Sequence, residues 1–190
     1  RTNIVRVALI ERKIMFILND VHLGTSRKAG ATPTSSAELK AYLQSEFRRL
    51  VNQCHGHLCI LGDLFDGFAV DPGEVIQAYE TLADYIHHGR YEVTLVKGNH
   101  DHANNSAKTS SFHLLAHILK SRFPYNVEVV DEGLTMIQGG DIWASPHVAN
   151  QALFDLEIEK AIANQDVKYL LLHCNINSPF AEHSDHSLNL

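Results

Sequence analysis

The apolar residues of this chain fall into two alternating patterns, short continuous runs and longer stretches with a helical period. Continuous apolar runs bounded by polar residues are typical of strands buried on both faces. Four such runs are present: IMFILN at 14–19, HLCILGD at 57–63, YEVTLV at 91–96 and VKYLLLH at 167–173. Shorter strands are predicted in NVEVV, LTMIQ and DIWAS, and the pair Gly139-Gly140 predicts a tight hairpin between the last two.

Helices are predicted between these strands, and the first two have start signals of their own. They cover residues 35–53, 71–89, 110–122 and 150–165. The first begins with a capping box, in which Ser35 is the N-cap and Glu38 stands three residues on. The second begins with Asp71 as N-cap and Pro72 in the first helical position.

The alternation of strands and helices predicts an α/β fold with sheet buried between helical layers. No repeat or linker divides the chain, so one domain is expected over residues 1–190. Residues 1–14 fit a leader or upstream extension, but 4–10 is apolar and also fits a genuine first strand. Residues 174–190 predict loop, and the C-terminal part of the domain is expected beyond Leu190.

Composition narrows the class of protein. Of the 190 residues, 45% are hydrophobic and 20% charged, as in ordinary globular proteins. The net charge of −6 argues against holding nucleic acid by charge alone, although bound divalent metals would change the local sign. Three cysteines without a CxxC pair predict a reduced, cytoplasmic protein. No apolar run reaches the ~20 residues of a membrane span, and 13 histidines direct attention to metal binding.

Polar side chains follow each of the four long apolar runs. These side chains stand in Asp20-Val21-His22, in GDLFD at 62–66, in GNHD at 98–101 and at His173. In an open α/β sheet, ligands bind at the carboxyl ends of the strands. Carboxylate, imidazole and amide groups form a mixed oxygen and nitrogen set that suits Mn²⁺, Fe or Zn²⁺. The sequence therefore predicts a metal site at this edge.

In chain order these segments read DxH, GDxxD, GNHD and a strand-terminal histidine. That order resembles the calcineurin-like metallophosphoesterase superfamily, and the resemblance covers Ile14 to His173. It implies a four-layer αββα sandwich, with two mixed sheets flanked by helices. It also implies an enzyme that hydrolyses phosphoesters with two divalent metal ions, manganese being favoured over iron and zinc.

The resemblance assigns metal ligands residue by residue. Asp20 and His22 match ligands of the first metal, and Asn99 and His173 match ligands of the second. Asp63 matches the carboxylate that bridges both. Metals ~3.5–4 Å apart can clamp phosphate oxygens and hold a nucleophile in line, and a bridging carboxylate sets that spacing.

Proton transfer is assigned to the same edge. His100 matches the histidine that hydrogen-bonds the phosphate and assists the leaving group, and Asp66 matches the acid that orients it. A histidine can donate a proton there if a partner fixes its tautomer. Gly98 makes the turn, and Asp101 is interpreted as loop support.

The sequence departs from the family pattern at its end. The family carries a final GHxH motif, and none occurs after His173. Either that motif lies beyond Leu190, which is the favoured expectation, or His183 and His186 substitute for it. A chain without the motif is expected to bind metal poorly and to turn over slowly.

The sequence contains further residues that are weaker candidates for the functional site. His147 is a second candidate for the role of His173, or a residue of the substrate cleft. His113 and His117 fit surface or core positions, and Cys174 fits an inert, partly buried thiol. The pair Arg27-Lys28, in the loop after DVHLG, could meet a phosphate-rich substrate.

The residues within the motifs favour one branch of the family. Gly67 after GDLFD and Asp101 in GNHD speak against the protein Ser/Thr phosphatases, whereas DVHLG and GDLFD resemble the double-strand-break-repair exonuclease branch. The prediction is a hydrolase of phosphodiesters, with nucleic acid or a nucleotide as its partner. The alternatives are a phosphomonoesterase acting on nucleotides or phosphoproteins, and a catalytically impaired scaffold. No oligomeric state is predicted.

Overall fold

The computed structural model describes residues 6–10, 13–25, 33–101, 108–137, 140–176 and 187–188. The strands are β1 (Arg6–Ile10), β2 (Lys13–Leu18), β3 (His57–Leu61), β4 (Val93–Val96), β5 (Val127–Val130), β6 (Thr135–Ile137), β7 (Ile142–Ser145), β8 (Tyr169–Leu172), β9 (Asn175–Ile176) and β10 (Ser187–Leu188). The helices are α1 (Pro33–Gln53), α2 (Pro72–Gly89), α3 (Ser111–Arg122) and α4 (Gln151–Ala163).

The larger sheet has the strand order β1-β2-β3-β4-β5. Strands β2 to β5 run parallel, so their carboxyl ends lie at the same edge. β1 pairs antiparallel with β2, with Val7 opposite Phe16. Of the alternatives for the start of the chain, the described residues therefore support a genuine strand.

The smaller sheet has the order β6-β7-β8. β6 and β7 form the predicted hairpin, with Ile137 opposite Ile142, while β8 runs parallel to β7 after the crossover through α4. β8 was predicted to be buried, and this is wrong: Tyr169 is 47% exposed and Leu170 to Leu172 are half-buried. The reason is that β8 is an edge strand among the described strands of its sheet.

The end of the chain also differs from the predicted loop. β9 and β10 form a short parallel pair, with Asn175 opposite Ser187. These strands contain two residues each, which is too short for a hydrophobic pattern to reveal. His183 and His186 lie outside the described residues.

Two hydrophobic cores explain the layering. Alternate residues of the larger sheet face opposite sides, so Leu58 and Ile60 pack in the core with Phe47 of α1. Their neighbour Cys59 belongs to the second core, with Ile142 of the smaller sheet. The strand pattern alone predicted one sheet between helices. Instead a second sheet covers one face, which confirms the αββα sandwich.

The start of α2 follows the predicted chemistry, and the start of α3 has a cap that was not predicted. Asp71 caps α2 by accepting a hydrogen bond from Gly73 N at 2.8 Å, and Ser110 caps α3 by accepting from His113 N at 3.1 Å. The capping box expected for α1 is wrong, because α1 begins at Pro33 and Ser35 lies within its first turn. Proline fits the first turn, where no backbone donor is needed. None of the described helices is long and apolar enough to cross a membrane.

Candidate metal centre

The seven predicted site residues meet at the carboxyl ends of four strands. The site residues on the larger sheet follow β2, β3 and β4, namely Asp20, His22, Asp63, Asp66, Asn99 and His100. His173 follows β8 of the smaller sheet and reaches across to the larger one, where its Nδ1 lies 3.2 Å from the carbonyl oxygen of Leu61. The site thus spans the junction of the two sheets.

Asp63 is the central residue of this group. Only 4% of its side chain is exposed, and Oδ2 lies 3.8 Å from His22 Nε2 and 3.4 Å from His173 Nε2. Oδ1 accepts a hydrogen bond from the backbone N–H of His100 at 2.9 Å. One buried carboxylate therefore faces imidazoles from two other segments and a backbone N–H from a third.

Asp20 and His22 form the first ligand group with Asp63. Their side-chain ligand atoms lie within 4.8 Å of one another. Asp20, His22 and Asp63 have φ values of 53°, 54° and 48°, a left-handed conformation that costs about 1–3 kcal/mol for a residue with a side chain. Such strain persists only where surrounding contacts hold it. Here His22 N donates to the Asp63 carbonyl at 3.0 Å.

Asn99 and His173, the predicted ligands of the second metal, lie in contact with each other. The amide of Asn99 lies 2.9 Å from His173 Nε2 and, with its nitrogen turned inward, 3.1 Å from Asp63 Oδ2. The carbonyl of Leu61 can only accept, so Nδ1 of His173 carries the hydrogen. Nε2, the nitrogen that faces Asp63, then carries the lone pair with which His173 could ligate a metal.

Two glycines make this close approach possible. A Cβ on Gly62, whose φ is +73°, would lie 2.3 Å from the ring of His173. A Cβ on Gly98 would lie 2.2 Å from both the backbone nitrogen and Oδ1 of Asp63. The glycines of GDLFD and GNHD are thus required by packing between segments as well as by the turns themselves.

The charges of Asp63 and His173 depend on each other. Burial raises the pKa of Asp63, but His173 and the backbone of His100 lower it by more, so it lies below its ordinary value. Burial lowers the pKa of His173, but Asp63, Asp20 and the Leu61 carbonyl together raise it by more, so the pKa lies above its ordinary value. A cation competes with the proton on His173, because a ligating imidazole must be neutral.

His100 is the more exposed of the proton-transfer candidates, with 40% of its side chain accessible. Its Nδ1 lies 2.8 Å from the main-chain carbonyl of Asp66, and its ring contacts that of His22 edge-on, with centroids 4.9 Å apart. The carboxylate of Asp66 points elsewhere, and its Oδ1 lies 3.0 Å from His22 Nδ1. Sequence motifs cannot show a main-chain contact of this kind.

Asp101 is more deeply buried than the sequence indicated. Its side chain is inaccessible to solvent, and it accepts a hydrogen bond from Gly98 N at 2.9 Å. Burial raises the pKa of Asp101 to about 7, although its contacts with the backbone of Gly98 and Phe65 act in the opposite direction. The interpretation as loop support fits this contact, since Asp101 closes the turn that carries Asn99 and His100.

Replacing Asp101 by Asn is expected to change the pH dependence of stability. The folded protein holds the Asp101 proton up to about pH 7, whereas the ordinary pKa is 3.8. Wild type therefore loses stability as the pH rises through this window, by on the order of 4 kcal/mol, and the Asn variant lacks this loss. Urea unfolding of both proteins with chelator, at about pH 4 and about pH 8, measures it. A constant stability difference would contradict the prediction.

The weaker candidates from the sequence are not among the residues that converge on Asp63. His147 is buried after β7, and its backbone N–H donates to the Lys97 carbonyl at 2.7 Å. His113 lies on the surface of α3, with Nε2 3.6 Å from Asp131, and His117 is exposed. Burial raises the pKa of the half-buried Cys174 thiol, as expected for an inert one. Arg27 and Lys28 lie outside the described residues.

The donor set fits divalent cations. Two groups of three ligands are close enough to hold an ion, one of Asp20, His22 and Asp63 and one of His22, Asp66 and His100. Within the described part of the chain, Asp20, Asp63 and Asp66 pair with histidines and with no lysine or arginine. Converging carboxylates without a fixed positive charge favour a bound cation.

An αββα sandwich with carboxylates and imidazoles at the strand ends defines a class of metal-dependent hydrolases. Residues 15–188 match the family profile described as calcineurin-like phosphoesterase. The chain therefore belongs to the calcineurin-like phosphoesterase family, and it is an enzyme that uses divalent metal to hydrolyse phosphoesters. A search of curated proteins finds no match. Family membership favours the enzyme over the scaffold.

Proposed function

We propose that this enzyme is a phosphodiesterase with a two-metal centre bridged by Asp63. The observation that carries the proposal is the position of Asp63 Oδ2, between His22 Nε2 at 3.8 Å and His173 Nε2 at 3.4 Å. A single buried carboxylate between two ligand groups is the arrangement that a bridging ligand requires. Asp20 and His22 would hold one cation, and Asn99 and His173 the other.

The two cations, when bound, would polarise phosphoryl oxygens and activate water for attack. The mixed oxygen and nitrogen donors suit Mn²⁺, Fe or Zn²⁺, and the resemblance to the family favours Mn²⁺ among them. Asn99 adds an oxygen ligand without adding negative charge. Its amide oxygen lies 2.9 Å from His173 Nε2, which is the inward orientation that a ligand requires.

His100 would donate the proton that the leaving alkoxide needs. Its Nδ1–H is held by the Asp66 carbonyl at 2.8 Å, so in the protonated ring Nε2–H is the group free to face the substrate. Its exposure is consistent with a substrate-facing residue. Protonation of the leaving oxygen breaks the P–O bond without releasing a free alkoxide.

The preference for a diester rests on sequence features at the site. The segment Asp20–Gly24 and the segment 62–66 resemble the exonuclease branch, and Gly67 stands where protein phosphatases usually carry arginine. An arginine there would supply an extra fixed charge. A diester carries one negative charge and a monoester two near neutral pH, so a site without that arginine favours the diester.

Hydrolysis of bis-p-nitrophenyl phosphate and p-nitrophenyl phosphate tests the proposal. We expect Mn²⁺-dependent turnover of the diester that is faster than that of the monoester and is lost on adding a chelator. Nucleic-acid diesters would then be the next substrates. Faster turnover of the monoester would identify a phosphatase and contradict the diester preference. No turnover of either ester with Mn²⁺, Fe²⁺ or Zn²⁺ supplied would contradict the proposal as a whole.

Replacing His100 by Gln is expected to slow the reaction by about 10²–10⁴-fold, the usual contribution of a general acid. The loss should be largest for diesters with poor leaving groups, such as diphenyl phosphate, because nitrophenolate departs without a proton. Rates across a series of aryl diesters measure this dependence. His117→Gln, at an exposed position of α3, is the matched control. An equal loss for all leaving groups would exclude His100 as the acid.

A further inference from the structure

We propose that the Asp66 carboxylate positions His22, while His100 is positioned by the main chain of Asp66. This inference rests on the proposed function, in which His22 is a metal ligand and His100 a proton donor. The side chain and the main chain of Asp66 would therefore have separate roles. The resemblance to the family had implied only that the acid orients His100.

The hydrogen bond of His100 involves no side-chain atom of Asp66, whose nearest carboxylate oxygen lies within 4.8 Å of a His100 ring nitrogen without being its hydrogen-bond partner. Nδ1 of His100 lies 2.8 Å from the Asp66 carbonyl oxygen. A carbonyl oxygen only accepts, so it fixes the hydrogen on Nδ1 whatever side chain residue 66 carries. The Asp66 backbone is itself held, since its N–H donates to the Leu23 carbonyl at 2.9 Å. Side-chain substitutions at residue 66 should therefore leave His100 oriented.

The contact with His22 does involve the carboxylate. Oδ1 of Asp66 lies 3.0 Å from His22 Nδ1, and the two side chains are only 19% and 20% exposed. The oxygen lies off the direction of the ring N–H, so the contact is electrostatic rather than a linear hydrogen bond. Partial burial strengthens such a contact, because little water screens it.

The opposite nitrogen of His22 faces the predicted metal position. Nε2 lies 3.9 Å from Asp20 Oδ1 and 3.8 Å from Asp63 Oδ2. A carboxylate beside Nδ1 favours the tautomer with hydrogen there, which leaves the Nε2 lone pair free to ligate. Carboxylate–histidine pairs of this kind commonly orient metal ligands, and losing the outer partner costs about 10–100-fold in metal affinity or activity.

The test compares Asp66→Asn and Asp66→Ala with wild type. Nitrogen NMR of the histidine rings, without added metal, reports the tautomers, and His22→Gln and His100→Gln identify the signals. We expect the His22 signals to change while those of His100 do not. Mn²⁺ affinity should fall by about 10–100-fold in the Ala variant and by less in the Asn variant, which keeps an acceptor oxygen. The dependence of rate on leaving group should stay as in wild type.

The opposite pattern would overturn the inference: changed His100 signals and a steeper leaving-group dependence, with unchanged Mn²⁺ affinity. Asp84→Asn, an exposed carboxylate of α2, is the control for a change in net charge. Circular dichroism and thermal unfolding establish that both variants fold. If wild type itself bound no Mn²⁺ or did not hydrolyse phosphoesters, the proposed function would fail. Unaltered His22 signals in folded variants would overturn only the present inference.

Discussion

Asp63→Asn is expected to abolish metal-dependent phosphoester hydrolysis. The substitution preserves shape but removes the buried negative charge that faces both His22 and His173. If the metals contribute about 4 kcal/mol to the transition state, kcat should fall by at least about 10³-fold. Metal content after dialysis, measured by mass spectrometry, should fall with it. Turnover of bis-p-nitrophenyl phosphate measures the loss.

Asp84→Asn changes the net charge equally at an exposed position and serves as the control for this experiment. It should keep both metal and activity. Thermal unfolding must show that Asp63→Asn folds, since Asp63 also accepts the backbone N–H of His100 at 2.9 Å. A folded Asp63→Asn protein with wild-type metal content would contradict the bridging role.

Gly98→Ala should damage both the site and the fold. The new Cβ would lie 2.2 Å from the nitrogen and Oδ1 of Asp63 and 2.9 Å from the Cα of Gly62. Backbone atoms cannot move aside cheaply, so the turns after β3 and β4 must separate. We expect destabilisation of roughly 2–4 kcal/mol. Activity should fall by at least about 10²-fold, because a displacement near 1 Å has that effect on positioned groups.

Gly67→Ala provides a matched control, because nothing lies within 4 Å of a Cβ added there. It should retain stability and activity within a small factor. Urea unfolding and turnover of the diester are measured on both variants. Equal stability and activity of the two would show that the close packing at Gly98 is not needed.

The sequence alone predicted most of the order of the elements and the residues of the candidate site. Apolar runs placed β2, β3 and β4, short-range capping chemistry placed the start of α2 at Asp71, and α3 was predicted to begin at Ser110. These features are readable because they depend on neighbouring residues. The polar residues after each strand predicted one shared edge, since parallel strands bring their carboxyl ends together. The start of α1 was misjudged because proline and serine both favour the beginning of a helix.

Only the tertiary structure decided how these pieces meet. The second sheet packs on the first, and the ring of His173 lies against Gly62. Asp20, His22 and Asp63 adopt left-handed backbone conformations. The Asp66 carbonyl faces His100 and the Asp66 carboxylate faces His22. Asn99 and His173, which touch at 2.9 Å, stand 74 residues apart. Contacts at such separations depend on how sheets pack, and no local pattern of side chains encodes that.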